Sequence, residues 1–137
     1  MHNVVTLVGN VSRTPELRHT TSGAAVASFG LAVDRRWQKD GGWREQTSFF
    51  EVTCWAQIAE NVCESIDKGA RVMVIGRLDQ QSWENDNGEK RSKVAVIADD
   101  VGPSLRWATC HVDRIERENA EQHRGKAKPV ETGEEPF

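Results

Sequence analysis

The chain has 137 residues, 37% of them hydrophobic, enough for one small core and a short appendage. No run approaches the roughly 20 apolar residues of a membrane span. The opening MHNVVTLVGN lacks the basic start and unbroken apolar run of a secretory signal, so a soluble cytoplasmic protein is expected. The net charge is −3: residues 1–112 carry 13 Lys and Arg against 14 Asp and Glu, and residues 113–137 carry 5 against 7. No global basic excess points to a polyanion, so any basic site must come from local clustering.

The first element is a strand in NVVTLVGNVS, where Val5, Leu7, Gly9 and Val11 alternate with polar residues. AAVASFGLAVDRRW predicts a second strand with Ala27, Phe29, Leu31 and Val33 on one face. TSFFEVTCWA, rich in β-branched and aromatic residues, predicts a third. In QIAENVCESIDKG the period changes. Ile58, Ala59, Val62, Cys63 and Ile66 form a helical stripe, with Lys68 near the end and Gly69 suited to a C-terminal cap. ARVMVIGRLDQQSW and RSKVAVIADDV supply strands four and five. TSGAA, KDGGW and NDNGEK carry the turn chemistry between strands. The order of three strands, one short helix and two strands matches the OB-fold, a mainly β five-stranded Greek-key barrel, with a small α+β sandwich as the alternative.

GPSLRWATCHV is a candidate sixth strand. The folded domain is expected to span residues 1–112. From Asp113 onward only Ile115, Val130 and Phe137 are large and apolar, which predicts a flexible charged tail over residues 113–137. Cys54, Cys63 and Cys110 form no CxxC or Cys/His cluster, so no metal site is expected. They read as three reduced thiols, with Cys54 and Cys63 in the core. An intersubunit disulfide, for which Cys110 is the candidate, is the alternative.

Strand parity separates the candidate binding residues from the core. In SFFEVTCW, Phe50, Val52 and Cys54 share one face, while Phe49, Glu51, Thr53 and Trp55 share the other. In strand four, Val72, Val74 and Leu78 point one way, and Arg77, Asp79, Gln81 and Trp83 the other. Trp37 ends strand two beside Arg35 and Arg36, and Trp43 lies in the following turn. A face carrying aromatics beside polar groups makes a poor core but a platform on which nucleobases can stack without sequence readout, at about 1–3 kcal/mol per base. The stacking candidates are Trp37, Phe49, Trp55 and Trp83, with rings that plug the barrel ends as the plainer alternative. Arg35, Arg36, Lys39, Arg44, Arg77, Lys90, Arg91 and Lys93 cluster near them as phosphate-binding candidates, or as ordinary solubilising charge. There is no GxxxxGK, HExxH or GxSxG. Asp99 and Asp100 are adjacent and point to opposite faces. No catalytic residue, metal or cofactor is expected.

VTLVGNVSRTPELR, SGAAVASFGLAVDRRW, EQTSFFEVTCWAQIAENV, KGARVMVIGRLDQQSWENDNGEKR and the closing Pro-Phe together resemble bacterial single-stranded DNA-binding proteins. The resemblance covers residues 3 to about 110 and the last four. It implies a homotetramer of OB-folds that wraps single-stranded DNA without sequence preference. It also implies stacking at Trp37, Phe49, Trp55 and Trp83; Phe49 stands where the family often has Trp, and Trp55 where it often has Phe. Glu134, Glu135, Pro136 and Phe137 then form a tip that docks replication and repair proteins. Two departures stand out. DQQS, with Asp79, replaces a segment that is often basic, and the tail is short, which suggests a specialised paralogue. An OB-fold adaptor for replication restart is the runner-up, and an OB-fold nuclease a third class.

Overall fold

The computed structural model describes residues 1–115. Five strands close into a barrel in the order β1-β2-β3-β5-β4: β1 Val5–His19, β2 Ala25–Lys39, β3 Gly42–Trp55, β4 Arg71–Glu84 and β5 Lys90–Pro103. The one helix, α1 Ala56–Ser65, lies between β3 and β4. All ladders are antiparallel except the β3–β5 contact that closes the barrel, at Val52–Val96 and Thr53–Ile97. This is the OB-fold arrangement expected from the element order.

Alternation along the strands fills the interior. Val11, Ala27, Phe29, Leu31, Val52, Cys54, Val72, Val74 and Val96 are buried. Ala59, Val62 and Ile66 of the helical stripe join the same cluster, with Ile58 and Cys63 packed at its edge. The strands approach most closely where no side chain intervenes. A Cβ on Gly9 would collide with the Ala32 carbonyl, and one on Gly76 with that of Ile97.

Several strands are longer than their hydrophobic patterns suggest. β1 continues from Ser12 to His19 through register shifts on either side of Arg13, with the buried Pro15, which has no N–H to donate, inside the irregular stretch. The β2–β3 hairpin runs unbroken to Lys39–Gly42 around Asp40 and Gly41, whose φ values of 52° and 75° make the tight turn that matches strand twist. β4 and β5 likewise extend to Glu84–Lys90. In the turn between them, Asn85 Oδ1 accepts hydrogen bonds from the N–H groups of Asn87 and Glu89 at 3.0 and 2.9 Å. Two hairpin arms therefore project beyond the barrel.

Four expectations need correction. Leu78 has the parity of Val72 and Val74 but is 42% exposed, because β4 has reached the foot of its arm there. The Asn3 side chain brackets its backbone, accepting from Leu78 N–H at 2.6 Å. Cys63 is half-buried at the core edge rather than within it. The helix ends at Ser65, and Ile66 turns extended and inward. Gly69, with φ 93°, serves the next turn, where its N–H donates to the Val11 carbonyl at 2.8 Å. GPSLRWATCHV forms no separate strand: β5 runs to Pro103, Ser104 N–H caps Arg71 at 2.9 Å, and residues 104–115 have no regular structure. The proposed tail lies outside the described residues beyond Ile115.

Burial, together with the neighbouring Cys63, pushes the Cys54 thiol up to about 12 from an ordinary 9.0. Stability from the protonated Cys54 thiol is therefore complete below about pH 9, where the unfolded thiol begins to ionise, and is lost towards pH 12. In the reduced native protein, Cys110 should react with a thiol reagent while Cys54 reacts only after denaturation; labelling followed by peptide mass mapping reads this directly. Gly76→Ala should lower stability by about 1–3 kcal/mol in urea unfolding, as expected for a collision in a packed core.

Candidate nucleic-acid interface

Because the barrel interior takes every second residue, the alternate residues of β3, β4 and β5 share one outer face. Phe49, Glu51, Thr53 and Trp55 lie along β3. Across the β2–β3 ladder they face Ala32, Gly30, Ser28 and Val26. None of these four partners is large enough to cover a ring. Gly30 has a steric reason as well: a Cβ there would collide with Ser12 Oγ. Phe49 is 72% exposed, Trp55 44% and Trp83 47%, so these rings do not plug the barrel ends.

The same face continues across the β4–β5 ladder. Gln81 lies opposite Lys93, Trp83 opposite Arg91, Asp79 opposite Ala95 and Arg77 opposite Ile97. Lys93 Nζ meets Glu51 Oε2 at 2.9 Å, which joins β5 to the β3 platform. Arg91 pairs with Glu89 at 2.8 Å, with both side chains more than half exposed; such a pair exchanges readily with solvent or another anion. Asp79 accepts a hydrogen bond from Gln81 at 3.4 Å. Lys90 lies opposite Glu84, one residue out of phase with Trp83 and Arg91, and so points to the other side of the arm.

The β2–β3 arm divides its aromatics between two sides. Trp43 has the parity of Phe49 and Trp55 and lies opposite Gln38; Trp37 lies opposite Arg44, on the other face. Each ring carries a guanidinium: Arg35 is 4.6 Å from the Trp37 ring centre and Arg36 5.4 Å from that of Trp43. Lys39 closes the arm opposite Gly42. Of the four stacking candidates, Phe49, Trp55 and Trp83 come together on one surface, and Trp37 stands on the back of the arm. Trp43, expected in the turn, is the second residue of β3, and counting back by twos from Phe49 reaches it.

Arg18 joins the platform face too. The ladder Arg18–Val26–Trp55 places it on the platform face, but only because β1 extends past Pro15. One concavity, of about 500 Å³, lies mainly on the other side of the β4–β5 arm, lined by Gln80, Ser82, Glu84, Lys90 and Ser92 together with Trp83 and Arg91. The other, of about 380 Å³, includes Arg18, Glu51, Trp55 and Lys93. The fifth tryptophan, Trp107, lies at the opposite end of β4 from Trp83, with Arg71 and Arg106 4.7 and 5.0 Å from its ring centre. Among the described residues no group of three His, Cys, Asp or Glu side chains is placed to hold a metal ion, and no helix is long and apolar enough to cross a membrane.

An outward aromatic face on a closed barrel, flanked by basic hairpin arms, is the arrangement of an OB-fold binding module. The profile of the Single-strand binding protein family matches residues 2–104, and the chain belongs to that family. It is 41% identical over 140 residues to a single-stranded DNA-binding protein of Mycobacterium tuberculosis, covering 97% of this chain and 85% of that one. It is 47% identical over 116 residues to the Mycolicibacterium smegmatis protein of the same name, covering 82% and 70%. Among solved structures, the small single-stranded DNA-binding protein from Streptomyces coelicolor superposes with a TM-score of 0.64 at 30% identity, covering 77% of this chain and 96% of that one.

Trp55→Ala and Trp83→Ala should each weaken binding of oligo-dT by about 1–3 kcal/mol with the fold intact. Fluorescence titration beside circular dichroism measures both. Unchanged affinity in both folded variants would remove the platform from the binding site.

Proposed function

We propose that this protein binds single-stranded DNA without enzymatic activity, holding bases on Phe49, Trp55 and Trp83 and using the two hairpin arms to embrace the strand. The observation that carries this reading is the exposure of three large rings on one polar-flanked sheet face. Such rings are costly to leave in water unless a ligand covers them. Trp37 and Trp43, on opposite faces of the β2–β3 arm, extend the stacking surface where the strand passes round it. Arg35, Arg36, Lys39, Arg44, Arg77, Lys90 and Arg91, with Arg18, supply phosphate contacts. The exposed rings favour DNA over the adaptor alternative, which would act mainly through protein contacts.

The same reading makes residues 1–112 the DNA-binding domain and residues 113–137 an appendage with Glu134, Glu135, Pro136 and Phe137 as the partner-docking segment. The protein then serves replication, recombination and repair in the cytoplasm, at the nucleoid. Met73 and Ile75 leave apolar surface on the outward side of β4 at the end away from Trp83, clear of the proposed DNA path, which supports assembly of several copies, and a homotetramer is proposed.

Oligo-dT titrated against tryptophan fluorescence, with mass followed by light scattering, should give quenching and tetramer mass together. Log affinity should fall with log salt by about 0.7 per phosphate neutralised, and Asp79→Lys should steepen that slope. A salt-insensitive interaction, or none, would contradict the proposal. Loss of Pro136 and Phe137 should leave oligo-dT affinity equal or slightly higher and sharply reduce capture of replication and repair proteins; equal capture would remove the docking role.

A further inference from the structure

The platform contains a carboxylate where a phosphate-binding surface has no use for one. Glu51 sits between Phe49 and Trp55 on the outer face of β3. Its Oε2 accepts a hydrogen bond from Lys93 Nζ at 2.9 Å, and its Oε1 accepts none from a described residue. With Trp55, Arg18 and Gln81 it lines the concavity of about 380 Å³, which is roomy enough for one nucleoside.

Charge decides which part of a strand can enter. A phosphate brought to Glu51 meets a carboxylate whose partner cation is already engaged. A base brought there meets the Trp55 face and a polar edge. A strand bound here would therefore turn a base towards Glu51 and its phosphates towards cations without a carboxylate partner in the concavity, such as Arg18. The polar edge is itself selective. Glu51 offers acceptors only, and Lys93 donors only. Guanine presents two adjacent donors, N1–H and the N2 amino group, beside the O6 acceptor. The two donors match the carboxylate, and O6 matches the Lys93 ammonium. Thymine presents a single donor, N3–H, flanked by acceptors. Hypoxanthine keeps N1–H and O6 but lacks the amino group.

We propose that the Glu51–Lys93 pair reads the Watson–Crick edge of a base seated in the Trp55 concavity and gives this protein a preference for guanine at that position. The inference rests on the single-strand binding reading and adds to it a base preference that stacking alone does not supply.

The test uses short dT oligomers carrying one central dG, dI or dT, competed against a labelled dT oligomer on the full chain. The wild-type protein should bind the dG oligomer roughly fivefold more tightly than the dI or dT oligomer, the worth of about one net hydrogen bond. In Glu51→Gln and Glu51→Ala, with folding checked by circular dichroism, the dG-to-dI ratio should fall towards one. Equal wild-type affinity for all three oligomers overturns the guanine preference and leaves single-strand binding standing. A wild-type preference that survives in both folded variants overturns the role of Glu51. Failure of the wild-type protein to bind any oligomer overturns the single-strand reading, and the inference with it.

Discussion

A closed barrel of five strands has an interior that only alternate residues can enter. Everything else about this protein depends on that constraint. Phe29, Leu31, Val52 and Cys54 fill the inside, so their neighbours are forced out. Phe49, Glu51, Thr53 and Trp55 face outward because Val52 and Cys54 face in, with Phe50 packed against the core's edge. The aromatic outer face is the complement of the core. A substitution that shifted β3 by one residue would bury the platform and expose the core together.

The glycines act at the same level. Gly9, Gly30 and Gly76 sit where a neighbouring backbone or side chain fills the space of a Cβ. Gly30 also lies opposite Glu51, leaving the middle of the platform flat. The residue that lets β1 approach β2 thus also keeps space open beside the rings. Ala56, with φ 58°, turns the chain sharply into the helix immediately after Trp55 and leaves that ring at the strand end.

The core, the helix stripe and the β3 platform were legible in the sequence because each follows a local period, two for strands and 3.6 for the helix. The lengths of the elements were not. Pro15 hides the second half of β1, and Arg18 with it, because a proline within a strand pattern normally ends it. The long arms carry polar residues on both faces, so their pairing leaves no hydrophobic signature. The sequence pattern therefore leaves Trp43 in the turn and gives no sign that Trp37 and Trp43 stand on opposite sides of the arm. The Glu51–Lys93 pair joins β3 to β5, residues 42 apart, and depends on barrel closure. Leu78 kept the core parity but outran the core, a limit set by barrel height rather than by pattern.

The central claim is that single-stranded DNA occupies the outer face of β3, β4 and β5 together with the arms. The five tryptophans provide a direct test, because each indole N–H gives its own resonance and the rings are spread over the whole molecule. Heteronuclear spectra of the nitrogen-15-labelled protein, recorded while oligo-dT is added, should show the Trp43, Trp55 and Trp83 indole signals moving furthest. Trp37 should respond with the arm, and Trp107, held against Arg71 and Arg106, should stay in place. Movement confined to Trp107, with Trp55 and Trp83 unchanged at saturation, would put the DNA on another surface and contradict this account.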